Sequence, residues 1–239
     1  MPWTFYNASG EALTNFGPVA LTDLDIDGAT DIGANIADAD LFIIDDGAGG
    51  TNRKTAASRL KTYIGGAGLV LIGTAVADDD ATLTITGLDS TYDSYLIELS
   101  NMVPATDGAT PVLRVGDSGG VDSGASDYGY VMAAFTDTTT TPENQLSTGT
   151  TGINWASAGV GNAAGEGVAG LFTLHRPGDG SMAPLLTGQS VFNYTSGNLR
   201  GNTIMAQRNA VITLDRVQFL FGSGNVKEGR MTIWGMAHA

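Results

Sequence analysis

The chain has 239 residues, which is enough to bury a full-sized core in one or two domains. Its 11 basic and 25 acidic residues give a net charge of −14, which argues against nucleic acid or an anionic membrane as partner, because both need a positive surface. Glycine supplies 34 residues and cysteine none, so the composition favours turns and strands, predicts an all-β fold, and excludes disulfides and thiolate metal sites.

Aromatic side chains crowd the N-terminus, where Trp3, Phe5 and Tyr6 lie within the first six residues. Chain termini are usually frayed and polar unless something ties them down. The cluster is therefore interpreted either as an anchor that inserts into another protein or as an edge strand that packs on its own chain. A basic stretch followed by an apolar core, as in a secretory signal, is not found here, so we expect the product to stay in the cytoplasm where it is made.

Three carboxylates alternate with apolar residues in the segment 19–28: Asp23, Asp25 and Asp27. Their spacing copies the opening of an EF-hand loop, in which alternate carboxylates bind one Ca²⁺ ion. The twelfth position of such a loop needs a bidentate glutamate, but Ala34 occupies it. The alternation with Leu24 and Ile26 is also typical of a half-buried strand with its carboxylates in solvent. That second interpretation is favoured, and calcium remains the alternative.

Residues 40–64 read DLFIIDDGAGGTNRKTAASRLKTYI and divide into an apolar run, a glycine-rich turn and a basic segment. An apolar run before a glycine-rich turn predicts a strand that enters a β-hairpin. Leu60 and Ile64 lie four residues apart, which predicts a short amphipathic helix. A lone hairpin with one helical turn buries too little to be stable. We therefore expect Leu60 and Ile64 to contact other copies of the chain or the rest of it.

Four of the eleven basic residues fall within nine positions of this segment: Arg53, Lys54, Arg59 and Lys61. They could bind an anion such as phosphate. The favoured interpretation is ion pairing between subunits, since acidic residues lie close by in the sequence, namely Asp38, Asp40, Asp45 and Asp46. Arg53, Lys54 and Arg59 are therefore predicted oligomer contacts.

A glycine-rich joint at residues 65–68 predicts a linker between an N-terminal arm, residues 1–66, and a C-terminal domain, residues 67–239. Strand patterns then recur at short intervals over residues 69–76, 81–88, 94–99, 111–115, 128–135, 167–176, 190–195, 202–207, 210–221 and 230–236. About ten short strands without a long helix predict a β-sandwich of jelly-roll type.

The strand pattern lapses between Thr136 and Gly165, which predicts a long loop. Trp155 is the large aromatic residue of this loop and a candidate anchor for a receptor. Tyr128 and Tyr130 lie just before it, and aromatic rings near polar loops can stack on sugars. The alternative is that these rings serve the core of the sandwich.

No arrangement of residues predicts catalysis. His175 has Asp179 and Ser181 nearby, but the chain lacks the G-x-S-x-G nucleophile elbow. Glycoside hydrolysis needs two carboxyl groups about 5 to 9.5 Å apart, and the pattern ties together no pair among Glu98, Glu143 and Glu166. One internal histidine and no cysteine make a nitrogen or sulfur metal site improbable. We expect no enzymatic activity and no cofactor, with Ca²⁺ at the acidic segment as the exception.

The segment DADLFIIDDGAGGTNRKTAASRLKTYI resembles a segment of tailed-bacteriophage virion proteins, in particular tail fibres and related appendages. STYDSYLIEL, PATDGATPVLRV and DRVQFLFGSGNVKEGRMTIWGM resemble the terminal β-sandwich of such appendages, whose last strand often ends in an aromatic-glycine pattern like that of Trp234 and Gly235. These segments cover about half of the chain.

The resemblance implies a structural virion protein that forms a homotrimer. The arm would attach to other virion proteins, with Trp3, Phe5 and Tyr6 as candidate contacts, and the sandwich would bind a glycan or protein of the host surface as a tail fibre or tail tip. Two alternatives stay open: a decoration or head-fibre protein on the capsid, and a polysaccharide depolymerase.

Overall fold

The computed structural model describes residues 9, 33–45, 52–64, 68–175, 177 and 179–237. The chain divides into two compact units, Met1–Thr62 and Tyr63–Ala239. The predicted domain boundary after residue 66 stays a prediction, because residues 65–67 lie outside the described residues.

The first unit contains a hairpin and most of a helix, which ends two residues beyond the unit. Strand β1, Leu41–Asp45, pairs in antiparallel fashion with β2, Asn52–Ala56, and helix α1, Ala57–Ile64, follows directly. The backbone N–H of Ala57 donates to the carbonyl of Asp40 at 2.8 Å, which ties the start of the helix to the start of the hairpin. The predicted hairpin strand and short helix are confirmed, while the predicted turn at residues 46–50 lies outside the described residues.

The described part of the second unit is built of strands: β3 Gly68–Val76, β4 Leu83–Thr86, β5 Ser94–Pro104, β6 Pro111–Asp117, β7 Gly120–Val121, β8 Tyr128–Thr136, β9 Thr139–Thr150, β10 Ile153–Asn154, β11 Val168–His175, β12 Leu185–Asn193, β13 Leu199–Arg208, β14 Arg216–Phe221 and β15 Val226–Ala237. An eight-stranded sheet has the order β3-β15-β5-β11-β12-β13-β8-β9. A five-stranded sheet has the order β10-β6-β14-β4, with β7 paired to β6. The pairs are antiparallel, and the predicted all-β fold is confirmed.

Aromatic rings join the two sheets in the core. Phe172 comes from β11 of the eight-stranded sheet and Phe219 from β14 of the five-stranded sheet. The ring of Trp155 lies between them, with centroids 5.1 Å from Phe172 and 6.1 Å from Phe219. All three side chains are fully buried. The core therefore lies between the inner faces of the two sheets, as in a β-sandwich.

The prediction of a loop over residues 136–165 is wrong for much of its length. Residues Thr139–Thr150 form β9, which pairs with β8 at the edge of the eight-stranded sheet, and β10 follows. Most side chains of β9 are exposed, and Leu146 is the one large apolar residue among its twelve, so the alternation by which half-buried strands are found in a sequence is missing. Its threonines nevertheless favour extended backbone.

Tyr95 makes the stability of the sandwich depend on pH in the alkaline range. Its ring is fully buried, its hydroxyl accepts from the backbone N–H of Asp89 at 2.9 Å, and burial raises the pKa of this hydroxyl from 10.0 to about 12. Because the pKa is higher in the folded chain, the contribution of Tyr95 to stability is complete below pH 10 and is lost as the pH rises through 12. We expect Tyr95→Phe to lose less stability than the wild type between pH 9 and pH 11, measured by urea unfolding. Equal losses in both chains would contradict this assignment.

Within the described residues, no helix is long and apolar enough to cross a membrane.

Candidate interaction surface

The eight-stranded sheet has an inner face on the core and an outer face that the five-stranded sheet does not cover. Alternation along the strands separates the two, as in β12, where Leu186, Ser190 and Phe192 are buried while Leu185 and Val191 are exposed. We define the outward side chains of β3, β15, β5, β11, β12, β13, β8 and β9 as the outer sheet face. Among the described residues, many of the exposed large apolar side chains lie on this face.

Strand register aligns one row of outward residues across all eight strands of this face. In spatial order the row is Leu71, Trp234, Leu96, Thr173, Thr187, Met205, Val131 and Leu146. Directly opposed side chains on neighbouring strands lie close enough to contact each other. The row is therefore a continuous band of aliphatic, aromatic and threonine side chains.

Large apolar side chains of the outer sheet face are about half exposed. Leu71 is 60% exposed, Met205 58%, Val131 53% and Leu146 73%. Further members lie beside the row: Leu69, Phe135, Leu171, Leu185, Val191 and Leu199. Single exposed apolar residues are ordinary, whereas a contiguous apolar patch of this extent marks a surface that binds something.

Formal charge is depleted from one part of this face, whereas Glu98 on β5 and Arg230 on β15 lie on its other part. Among Asp, Glu, Lys and Arg, the five neighbouring strands β11, β12, β13, β8 and β9 contain only Glu143, Arg200 and Arg208. All three occupy positions that alternate toward the inner side, since Glu143 is opposite the buried Ala134 and Arg208 is opposite the buried Tyr128. Arg200 pairs with Glu143 at 3.4 Å on that side. The outward side chains of these five strands therefore include no Asp, Glu, Lys or Arg.

A hollow of about 470 Å³ lies on the outer sheet face beside Leu171, with Glu98 and Gln189 in its lining. Glu98 accepts a hydrogen bond from the hydroxyl of Ser100 at 3.1 Å. It is the one titratable side chain that lines this hollow. The hollow therefore offers a recess for an apolar side chain rather than a group of converging acids and bases.

Glu98 and Glu143, two of the carboxylates considered for glycoside hydrolysis, do not lie close enough to act as a pair. Five steps between neighbouring strands separate β5 from β9, which corresponds to about 24 Å at the usual strand spacing. Glu166 instead accepts a hydrogen bond from the backbone N–H of Ala163 at 2.8 Å, within its own turn. A hydrolytic pair needs a separation of at most about 9.5 Å.

The residues considered for a Ser-His-Asp site make other contacts. Nε2 of His175 lies 3.2 Å from the hydroxyl of Thr187, on the neighbouring strand. The hydroxyl of Ser181 donates to Asp179 at 2.5 Å within a local turn. Among the described residues, His175 and Ser181 share no hydrogen bond, so the geometry of an activated serine is not formed.

The prediction that Trp155 and Tyr128 contact a receptor is wrong, because both side chains are fully buried. A ring that stacks on a sugar needs an exposed face, but Trp155 is enclosed between Phe172 and Phe219. Tyr130 is half-buried and lies at the margin of a hollow that also includes Val131 and Met205. Its predicted role as a receptor contact stays a prediction.

Tyr128 instead belongs to a buried polar network. Its hydroxyl accepts from the backbone N–H of Val115 at 2.9 Å and lies 2.9 Å from the carbonyl oxygen of Asp122. Arg208 pairs with Asp122 at 2.8 Å and with Asp127 at 3.2 Å. Burial raises the pKa of Tyr128. Burial alone would lower the pKa of Arg208, but the hydrogen bond and charge of Asp122 raise it.

The predicted contacts in the first unit are described only in part. Arg53, Lys54 and Arg59 are exposed and Leu60 is half-buried, while the side chain of Ile64 lies outside the described residues. The anchor candidates Trp3, Phe5 and Tyr6 lie outside them too, as do the calcium candidates Asp23, Asp25 and Asp27. Among the described residues, His, Asp and Glu form no group of three or more that could hold a metal ion.

Comparison of the chain with protein-family models, with curated proteins and with solved structures gives no match.

Proposed function

We propose that the chain is a structural virion protein of a tailed bacteriophage, a homotrimeric tail fibre or tail-tip component whose sandwich contacts a glycan or protein of the host surface. The observation that carries the proposal is the outer sheet face, an extended apolar surface without converging catalytic groups, on a chain whose segments resemble phage appendages. Such a surface suits binding and assembly rather than turnover.

The hairpin of the first unit supports attachment or assembly by the arm. Leu41 is 60% exposed and Ile43 69%, and Ile36 just before the hairpin is 63% exposed. A two-stranded hairpin with an eight-residue helix cannot bury these side chains by itself. Contacts with copies of the chain or with another virion protein would remove them from water.

Exposed basic side chains at the same place give the arm a means of pairing with acidic groups. Arg53 and Lys54 lie on β2, and Arg59 lies on α1. Asp38 and Asp40 precede β1 in the same short segment. Exposed ion pairs contribute up to about 1 kcal/mol each, so they would set the register of neighbouring arms rather than hold them together.

Adhesion by such an appendage needs no strong single site. Three sandwiches held on one particle convert the second and third contacts into intramolecular events, which raises the avidity by a factor of roughly 10² to 10⁴. The mechanism is binding without turnover, and it requires no cofactor.

The proposal is tested by locating the protein on purified phage particles with gold-labelled antibodies. We expect label at the tail, and we expect an excess of purified chain to reduce phage adsorption to host cells. Label on the head surface without an effect on adsorption would establish the decoration alternative instead. Absence of the protein from the particles would overturn the proposal, and release of reducing ends from host polysaccharide would establish the depolymerase alternative.

A further inference from the structure

We infer that copies of this chain pack on one another through the outer sheet face. The inference rests on the proposed function and extends it, because it assigns the outer sheet face to assembly, in addition to the predicted contacts of the arm, and leaves host contact to the rest of the sandwich surface. The partner is a second copy of the chain.

The size of the face fits a subunit interface. Eight strands at the usual spacing of about 4.8 Å span about 34 Å, and a nine-residue strand is about 30 Å long. Their product is an area on the order of 1,000 Å². A stable interface buries about 800 Å² on each partner, so one face supplies the area that association needs.

The charge distribution favours a copy of the same chain. A chain with a net charge of −14 repels its copies through most of its surface. The outward side chains of β11, β12, β13, β8 and β9 include no Asp, Glu, Lys or Arg, so two copies can meet over these five strands without opposing carboxylates. On the remaining three strands, Glu98 and Arg230 are outward and of opposite charge. Depletion of charge is also what distinguishes the centre of an interface from the rest of a protein surface.

The kind of side chain favours a protein sheet over a sugar. Leucine, valine and methionine dominate the exposed apolar set, as at Leu171, Val131 and Met205. Sugar recognition relies on exposed aromatic faces, whereas aliphatic side chains interdigitate when the sheets of neighbouring copies pack together. The threonines of the outer row, Thr173 and Thr187, are compatible with such packing because they present methyl groups as well as hydroxyls.

The absence of cysteine from the chain allows a direct test by thiol labelling of full-length single-cysteine variants. Met205→Cys places the thiol in the row of outward residues that crosses the outer sheet face. Thr84→Cys is the matched control, because Thr84 is an exposed strand residue of the other sheet. At a concentration where the wild type has the mass of more than one copy by light scattering, we expect Met205→Cys to react at least about ten-fold more slowly than Thr84→Cys.

A second variant tests whether slow labelling of the thiol comes from coverage by another copy or from its surroundings within one chain. We expect Leu171→Asp, combined with Met205→Cys, to bring labelling to the rate of Thr84→Cys, since it places a second carboxylate directly opposite Glu98 and the two like charges cannot be buried together. Circular dichroism confirms that the double variant is folded, and Leu171→Gln replaces Leu171→Asp if it is not.

Three results would overturn the inference: equal labelling of both single variants in an associated wild type, slow labelling of Met205→Cys in a chain that has the mass of one copy, and slow labelling that persists in the folded double variant. The second result would mean that another segment of the same chain covers the face. None of these bears on where the protein lies in the particle, so this test and the antibody test can fail separately.

Discussion

Gly188→Ala is expected to lower the free energy of unfolding of the sandwich by about 3 kcal/mol or more, toward the upper end of the range for overpacked cores. A Cβ atom at this position would lie 2.1 Å from Cδ1 of Phe172 and 2.8 Å from the carbonyl oxygen of Leu171. The ring cannot simply turn away, because its other edge lies close to Gly170, where even a Cβ would come within 2.5 Å of it, and Trp155 packs against it. The aromatic core thus depends on glycine in two neighbouring strands.

Gly201→Ala is the matched control for this substitution. Gly201 lies on β13, next to β12, and its Cβ would meet the carbonyl oxygen of Ser190 at 3.6 Å, an ordinary contact. We expect a change within about 0.5 kcal/mol in urea unfolding, monitored at a concentration where the chain does not associate. Phe172→Leu combined with Gly188→Ala should recover part of the loss. Equal stability of the two glycine variants would show that the core adjusts around the ring.

Much of the sandwich could be predicted because burial on one side of a strand leaves a period of two in the sequence. Leu83 and Ile85 are buried and Thr84 is exposed, and this segment is β4. The same alternation at residues 211–214 is misleading, since β14 begins only at Arg216. Leu214 is fully buried without being in a strand, and its N–H donates to the carbonyl of Pro177. Alternation therefore reports burial of side chains, and it does not guarantee a partner strand.

The outer sheet face could not be predicted because it depends on which strands become neighbours. Leu71 and Leu146 stand out individually in the sequence, but β3 lies beside β15 and β5 lies beside β11. Contacts between residues this far apart in the chain follow no local rule. The enclosure of Trp155 has the same origin, because Phe172 and Phe219 reach it from distant strands.

The network around Arg208 was also missed, for the same reason. Asp122 and Asp127 precede β8, whereas Arg208 is the last residue of β13, and their hydrogen bonds span 86 and 81 residues. In the sequence these two aspartates resemble ordinary turn residues. The network could have been predicted only if the pairing of β8 with β13 had been known, because that pairing places Tyr128 opposite Arg208.

Arg208→Met is expected to lower the free energy of unfolding by about 2 to 3 kcal/mol, somewhat less than for a fully buried ion pair. The arginine side chain is only 12% exposed, it contacts Asp122 and Asp127, and its guanidinium lies 5.8 Å from the ring centroid of Tyr128. Methionine fills most of the space of the aliphatic stem, so the loss reports the charge and the hydrogen bonds. The substitution would leave the carboxylates of Asp122 and Asp127, each about a quarter exposed, without their shared cation.

Lys227→Met is the control for that variant, since Lys227 pairs with Glu228 at 3.5 Å while both side chains are more than half exposed. We expect its effect in urea unfolding to stay below about 0.5 kcal/mol. High salt should weaken any effect of Lys227 more than that of Arg208, because solvent screens the exposed pair and reaches the enclosed one poorly. Equal losses in the two variants would contradict a structural role for the network. A loss confined to Arg208→Met would show that one enclosed arginine stabilises the connection between the segment before β8 and the end of β13, the two strands that carry Val131 and Met205 on the outer sheet face.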